Sequence, residues 1–295
     1  MVGCTTTGDV LDAIGTDTGD PGAATSAGAS GSGSSAGDDS STGTPGDPCG
    51  SDGAWWCPEP GMSWQVQRYV PIDDTVAAAV ISVPLFTTDL AAMAALHAQD
   101  RRVLCWFSAG ISTWGEPDRD VVNPAATGPE IVPGQPERWM DLDSPIVRDA
   151  MIVRLDQARA LGCDGVEPSD IDGYLADSGL ALTRAGTVDF VTWLADEAHA
   201  HGLAIALHDG NELVGELGDA VDLALDYGCL ASGTCASLAP ISDAGKLVLH
   251  AEIVAPEKVG DIATLAIEVC STSAMLSLVT VFKKPDLGGW SYPCD

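Results

Sequence analysis

The sequence predicts an α/β fold, a closed (β/α)8 TIM barrel behind a disordered N-terminal tether. Three observations carry this expectation. Eight short apolar runs with strand character recur between Trp64 and Phe282. Helical stretches separate most of them, as in parallel sheets built from strand–helix units. The chain beyond residue 64 also has the length that such a barrel needs, roughly 250 residues in total. The competing architecture, an open doubly wound sheet, would be supported by a GxGxxG or GxxxxGK[ST] loop, and the sequence contains neither.

Residues 1–48 are mostly Gly, Ser, Thr, Ala and Asp without a basic residue. Such a segment cannot bury a core and reads as a flexible acidic tether. Its start, Met1-Val-Gly-Cys4, resembles the end of a bacterial lipobox and places a lipid anchor at Cys4. Residues 49–63 form a Cys/Trp/Pro-rich lead-in with Trp55 and Trp56, expected to close the lower face of the barrel or to cap its first strand. Residues 64–295 form the barrel domain. No apolar stretch reaches the ~18 residues of a membrane span.

The expected strands are Trp64–Tyr69, Val80–Phe86, Val103–Ser108, Cys163–Glu167, Leu203–His208, Val221–Tyr227, Leu247–Ile253 and Met275–Phe282. The expected helices are Asp89–Ala98, Pro145–Leu161, Thr187–His201, Asn211–Leu217 and Pro256–Ile267. Ser144-Pro145 is an N-cap followed by the residue best suited to the first helical position. Gly162 and Gly202 stand where helix C-caps are expected. The long insertion between Phe107 and Pro145 builds one loop at the barrel mouth. Its Trp139 either stacks on a sugar ring or packs the loop onto the barrel.

The chain has 43 acidic and 13 basic residues. This balance excludes nucleic acid as a partner, because phosphate binding needs clustered Lys and Arg. It suits solubility, and it also suits a cationic polymer. Nine cysteines imply an oxidising compartment. Spacing pairs Cys49 with Cys57, Cys229 with Cys235 and Cys270 with Cys294. Cys105 and Cys163 either pair or remain buried thiols. No CxxC or suitably spaced His points to zinc, and no metal or cofactor is expected. The default oligomeric state is a monomer.

Strand alternation gives the expected mouth. Glu167 and Ser169 share a face, as do Ala204, Ala206 and His208. In Leu247–Ile253 the polar set, Val248, His250 and Glu252, is expected to face the axis. Asp170, Asp209, Asp226 and Tyr227 stand at adjacent strand ends. Glycoside hydrolysis requires two carboxylates around a sugar, and Glu167 with Glu252 satisfies that requirement on paper. A metal site built from His208, Asp209, His250 and Glu252 lacks HxH or HxxxH spacing.

Several motifs then point to one family. They are Trp64-Gln65, Cys105-Trp-Phe-Ser-Ala-Gly110, Glu137-Arg-Trp139, Asp141, Ser144-Pro145, Gly162-Cys-Asp-Gly-Val-Glu-Pro168, Asp172-Gly-Tyr174 and Glu197-Ala-His-Ala-His-Gly202. Together they resemble glycoside hydrolase family 114, the endo-α-1,4-polygalactosaminidases, over about Trp64 to Cys294. The resemblance implies a (β/α)8 barrel, secretion, and endo-cleavage of a cationic, galactosamine-containing exopolysaccharide. It departs from the family pattern where chemistry is expected. Ser169 stands where the family has an Asp, Tyr227 where it has a Glu, and His208-Asp209 where it has Lys-Asn. Three readings follow. The catalytic role has moved to Asp170, with Glu167, Glu252 or Asp226 as partner. Or the barrel binds sugar without cutting it. Or a different bond is cut with the help of Tyr227 or His208. The resemblance further implies sugar contacts from Ser169, Asp172, Tyr174, Trp106, Ser108, Trp139, His208 and Tyr227.

Overall fold

The computed structural model describes residues 54–122 and 124–294. The tether, Cys4 and Cys49 lie outside them. The β-branched and apolar runs form β1 (Trp64–Val66), β2 (Val80–Pro84) and β3 (Arg102–Ser108). The insertion contributes β4 (Ile111–Ser112), β5 (Thr127–Glu130) and β6 (Arg138–Met140). Then come β7 (Gly165–Ser169), β8 (Ala204–His208), β9 (Leu223–Tyr227), β10 (Leu247–Ile253), β11 (Val279–Lys283) and β12 (Ser291–Pro293). The helices are α1 (Leu90–His97), α2 (Arg119–Val122), α3 (Pro145–Leu161), α4 (Arg184–Ala200), α5 (Val214–Leu217), α6 (Cys229–Ser232), α7 (Ala239–Asp243) and α8 (Ile262–Met275).

The main sheet runs β1-β2-β3-β7-β8-β9-β10-β11-β12. Its strands from β1 to β11 pair in parallel, and β12 returns antiparallel on β11. Strand order never reverses, so there is no switch point of the kind a doubly wound sheet has. Trp64 Nε1 donates to Val279 O (2.8 Å) and Lys283 Nζ to Gln65 Oε1 (3.3 Å), bringing the first and last parallel strands together. A small antiparallel sheet, β4-β6-β5, makes up the insertion. Buried Arg154 of α3 ties it down through Asp118 (2.7 Å) and Glu116 (3.0 Å).

α3 begins and ends as expected. Ser144 accepts a hydrogen bond from the Ile146 amide, and Gly162 closes the helix at φ 93°. The last expected strand starts later than predicted. Met275 belongs to α8, and β11 begins at Val279. The apolar run there suits either helix or strand, and periodicity cannot separate the two. The fourth strand likewise starts two residues late, leaving Asp164 at the base, where it accepts from the Val103 amide (2.8 Å) and pairs with Arg102.

The interior is filled by Trp64, Val66, Leu104, Ala206, Leu223, Leu225, Leu247, Leu249, Ala251 and Val281. This corrects the expected orientation of β10. Its apolar set faces the axis, and Val248, His250 and Glu252 face the helices. Both faces of the strand are buried, so alternation alone does not say which is inner. The outer face offers His250 a partner, Thr280 Oγ1 (2.9 Å), which the apolar interior lacks.

In the lead-in, Trp55 stacks on His199 (3.9 Å between ring centroids) and donates to Asp222 (3.0 Å), just before β9. Cys229–Cys235 and Cys270–Cys294 pair as spacing predicted, and Cys105 pairs with Cys163. Among the described residues no helix is long and apolar enough to cross a membrane.

Candidate active site

Parallel strands bring their C-terminal ends to one rim, where (β/α)8 barrels keep their chemistry. A cavity of about 490 Å3 opens there. Arg68, Trp106, Ser169, Asp170, His208, Asp209 and Tyr227 line it, with Tyr69 and the loop Pro285-Asp286-Leu287 at its edge. Lys283 Nζ supports that loop by donating to Gly288 O (2.6 Å).

Arg68 is the hub beneath the cavity. It follows β1 and shares the inward parity of Trp64 and Val66. It donates to Glu167 Oε1, to Ser82 Oγ (2.7 Å) and to Tyr227 Oη (2.6 Å), and its guanidinium lies 4.8 Å from the Trp106 ring centre. Ser82 in turn donates to Glu167 Oε2, and His208 Nδ1 lies 2.9 Å from Glu167 Oε1. Glu167 is fully buried. Burial opposes its charge, but Arg68 and then His208 outweigh that, holding its carboxyl below the usual carboxylate range. Burial would likewise lower His208, yet the charge of Asp209 and its contact with Glu167 raise it to about 9. The imidazole is therefore a cation at neutral pH. Burial first, and the Glu167 charge behind it, push the Tyr227 phenol well up.

Alternation along β7 would turn Asp170 away from Ser169. The backbone breaks that rule, because Asp170 sits at φ 62° in the left-handed region. Both side chains consequently line the cavity. Trp106 Nε1 donates to Ser169 Oγ (2.9 Å), and Ser169 Oγ donates to Asp170 Oδ2 (3.0 Å). The Asp170 amide donates to Asp209 Oδ2 (3.0 Å), and Asp209 is itself at φ 57°. Paired strain of this kind clusters at functional sites. Gly110 makes the turn feasible, since a Cβ there would stand 1.7 Å from Asp170 O. Burial raises the Asp170 carboxyl above its ordinary value, and the neighbouring Asp209 charge adds to this against the hydrogen bond from Ser108.

Two of the expected catalytic residues, Glu252 and Asp226, separate from this group. Glu252 is on the outer face of β10, where it accepts from the Ala231 amide (3.0 Å). Asp226 also faces outward. It accepts from Cys229 N (2.8 Å) and from Asn211 Nδ2, so it braces the turn into α6. Ser108 is buried and accepts from the Ile111 amide (3.0 Å). Tyr174 donates to Glu212. Asp172 is half-buried, and burial followed by Asp209 raises its carboxyl. Trp139 packs its ring where a side chain on Gly173 would go.

Sequence reasoning missed Arg68 and Ser82. Their inward parity with Trp64 and Val80 was available as a signal. In so acidic a chain, an inward Arg at a strand end calls for a buried carboxylate partner.

A family model described as glycoside-hydrolase family GH114 matches residues 47–295. Among solved structures, the chain is similar to Ega3 of Aspergillus fumigatus, determined in complex with galactosamine. The two share 32% identity over 81% of this chain and 97% of that one, with a TM-score of 0.75. The glycoside hydrolase domain of PelA from Pseudomonas aeruginosa has the same fold at 15% identity, covering 78% of this chain and 97% of that one, with a TM-score of 0.63. No curated protein sequence matches the chain.

Proposed function

Because the chain belongs to glycoside-hydrolase family GH114, we propose that it is a secreted, monomeric glycosidase that makes endo-cuts in an α-1,4-linked, galactosamine-containing polysaccharide. Residues 1–48 serve as its tether, with a lipid anchor at Cys4. The likeness to Ega3 supports the substrate class, and the acidic surface suits a polymer bearing free amines.

Asp170 carries the reading. It lines the mouth cavity with a carboxyl whose affinity for protons is raised, as a general acid requires. Asp170 protonates the leaving glycosidic oxygen. Asp209, beside the His208 cation, supplies the negative charge that faces the developing oxocarbenium ion. Glu167 acts from below by fixing Arg68 and His208. Trp106 and Tyr69 offer the ring apolar surface, and Ser169 orients Asp170. Asp172 and Tyr174 border the site through Asp209 and Glu212.

The test is release of reducing ends from partly deacetylated galactosaminogalactan. Asp170→Asn and Asp209→Asn are each expected to lower kcat by a factor on the order of 10^3, about 4 kcal/mol of barrier. Unchanged rates in both variants, or abolition by Glu252→Gln instead, would sink the assignment.

One observation favours a second reading, sugar binding without cleavage. Asp170 and Asp209 come from adjacent strands, the third mouth carboxylate, Asp286, is on the loop after β11, and the strand after β8 presents the Tyr227 phenol rather than a carboxylate. On that reading the wild type binds polymer and releases no reducing ends, and Ser169→Asp with Tyr227→Glu creates activity.

A further inference from the structure

Three carboxylates line the mouth cavity, and two of them are already engaged. Asp209 lies 3.5 Å from His208 Nε2 and accepts from the Asp170 amide. Asp170 accepts from Ser169 Oγ, and burial favours its protonated form. The third is Asp286. It is exposed, and among the described residues no Lys, Arg or His forms an ion pair with it. Lys283 stands near, but its Nζ donates to Gly288 O (2.6 Å) and Gln65 Oε1 (3.3 Å) instead.

The loop holds Asp286 in place. Its Oδ1 accepts from the Gly288 amide (3.1 Å), which leaves Oδ2 for a ligand. The Leu287 amide donates to Lys284 O (2.9 Å), and Leu287 O accepts from the Arg68 amide (3.0 Å). That last bond fixes the loop to the end of β1, beside the guanidinium that anchors Glu167. β7 and β11 are the fourth and eighth parallel strands in the ring. Asp286 therefore stands across the mouth from Asp170. A sugar chain that crosses the cavity from Asp170 meets the wall carrying Asp286 and Tyr69. A carboxylate without a counter-ion favours an ammonium over a neutral amide there, because the amide removes the Coulomb attraction and returns only a weaker hydrogen bond.

We propose that Asp286 is the residue that selects free amines over N-acetyl groups, by binding the 2-ammonium of a galactosamine unit adjacent to the bond that is cut. The inference rests on the glycosidase reading and adds to it the residue that reads the acetylation of the polymer. Such an interaction holds the ground state and the transition state alike, so its loss raises KM and leaves kcat unchanged.

The probes are α-1,4-linked galactosamine oligomers and the same oligomers N-acetylated with acetic anhydride. Reducing-end release from the free-amine oligomers gives KM and kcat, and calorimetric titration in an Asp170→Asn background gives the affinity for both probes without cleavage. Asp286→Asn keeps the oxygen that accepts from Gly288. It should raise KM and weaken free-amine binding about 10-fold, the order expected of one charge-assisted hydrogen bond, with kcat and the affinity for acetylated oligomers unchanged. Asp286→Glu should recover most of the loss. Asp189→Asn removes the same charge from an exposed position on α4 and should change neither quantity. The proposal is overturned if Asp286→Asn weakens both probes equally, which would make Asp286 a structural residue of its loop. It is also overturned if Asp189→Asn has the same effect, which would assign the preference to net charge. Absence of reducing ends from the wild type would sink the glycosidase reading alone. The titrations still decide on Asp286: a free-amine preference lost in Asp286→Asn upholds the inference, and equal affinities of the two probes for the Asp170→Asn chain refute it.

Discussion

Replacing Arg68 with Met leaves a carboxylate buried without its main counter-ion. The Glu167 side chain is 0% exposed and that of Arg68 is 9%, so water screens the pair little. Arg68→Met removes donors to Glu167, Ser82 and Tyr227. Breaking a buried ion pair from one side costs about 3–5 kcal/mol. His208 remains 2.9 Å from Glu167, which puts the expected loss near the lower end, about 3 kcal/mol. For a domain of this size each kcal/mol moves Tm by ~2–4 °C, so the shift should be roughly 6–12 °C. The pH dependence has a definite sign. The folded pKa of Glu167 is lowered, so its stabilisation is present above its unfolded value of about 4.3 and is lost as pH falls through the folded value. The gap between wild type and Arg68→Met should therefore narrow on acidification. Urea denaturation of wild type, Arg68→Met, Glu167→Gln and the double variant gives the coupling directly. A loss under ~1 kcal/mol at neutral pH, or a coupling under ~0.5 kcal/mol, would refute the view of Arg68 as the anchor of the site.

Other outcomes follow from the same geometry. His208, raised to about 9, stabilises the fold fully below its unfolded value of about 6.5, and this contribution, on the order of 3 kcal/mol, fades as pH rises towards 9. Thermal scans across that window should show the decline in wild type, and His208→Asn should flatten it. Gly110→Ala drives a methyl into Asp170 O; a loss of about 3 kcal/mol in denaturation is expected, together with reduced hydrolysis because Asp170 is displaced. If Asp170 is the proton donor, kcat should fall on the alkaline side as it deprotonates, and Asp170→Asn should lack that limb of the pH–rate profile. Cys270→Ser/Cys294→Ser opens a loop of sequence separation 24, for which chain entropy gives about 3.5 kcal/mol of lost stability, measurable by urea midpoint.

The sequence by itself determined the barrel, its strand order and the family. Those depend on local matters: apolar runs of strand length, the Ser144-Pro145 and Gly162 helix ends, and motifs such as Cys105–Gly110 and Gly162–Pro168. It also placed Glu167, Ser169 and His208 on one inner face, because alternation is a property of the single strand. Tertiary structure decided the rest of the site. Alternation divides β10 into two sets but does not say which set is inner, and only packing against Trp64, Leu223 and Val281 turned Leu249 and Ala251 inward and Glu252 outward. Asp170 reached the mouth through a left-handed turn that Gly110 leaves room for, a contact between residues 60 positions apart. Arg68 and Glu167, 99 positions apart, meet only once β1 and β7 stand in the same ring. Charge neutralisation in a buried site depends on which side chains converge in space, and spacing along the chain does not encode that convergence.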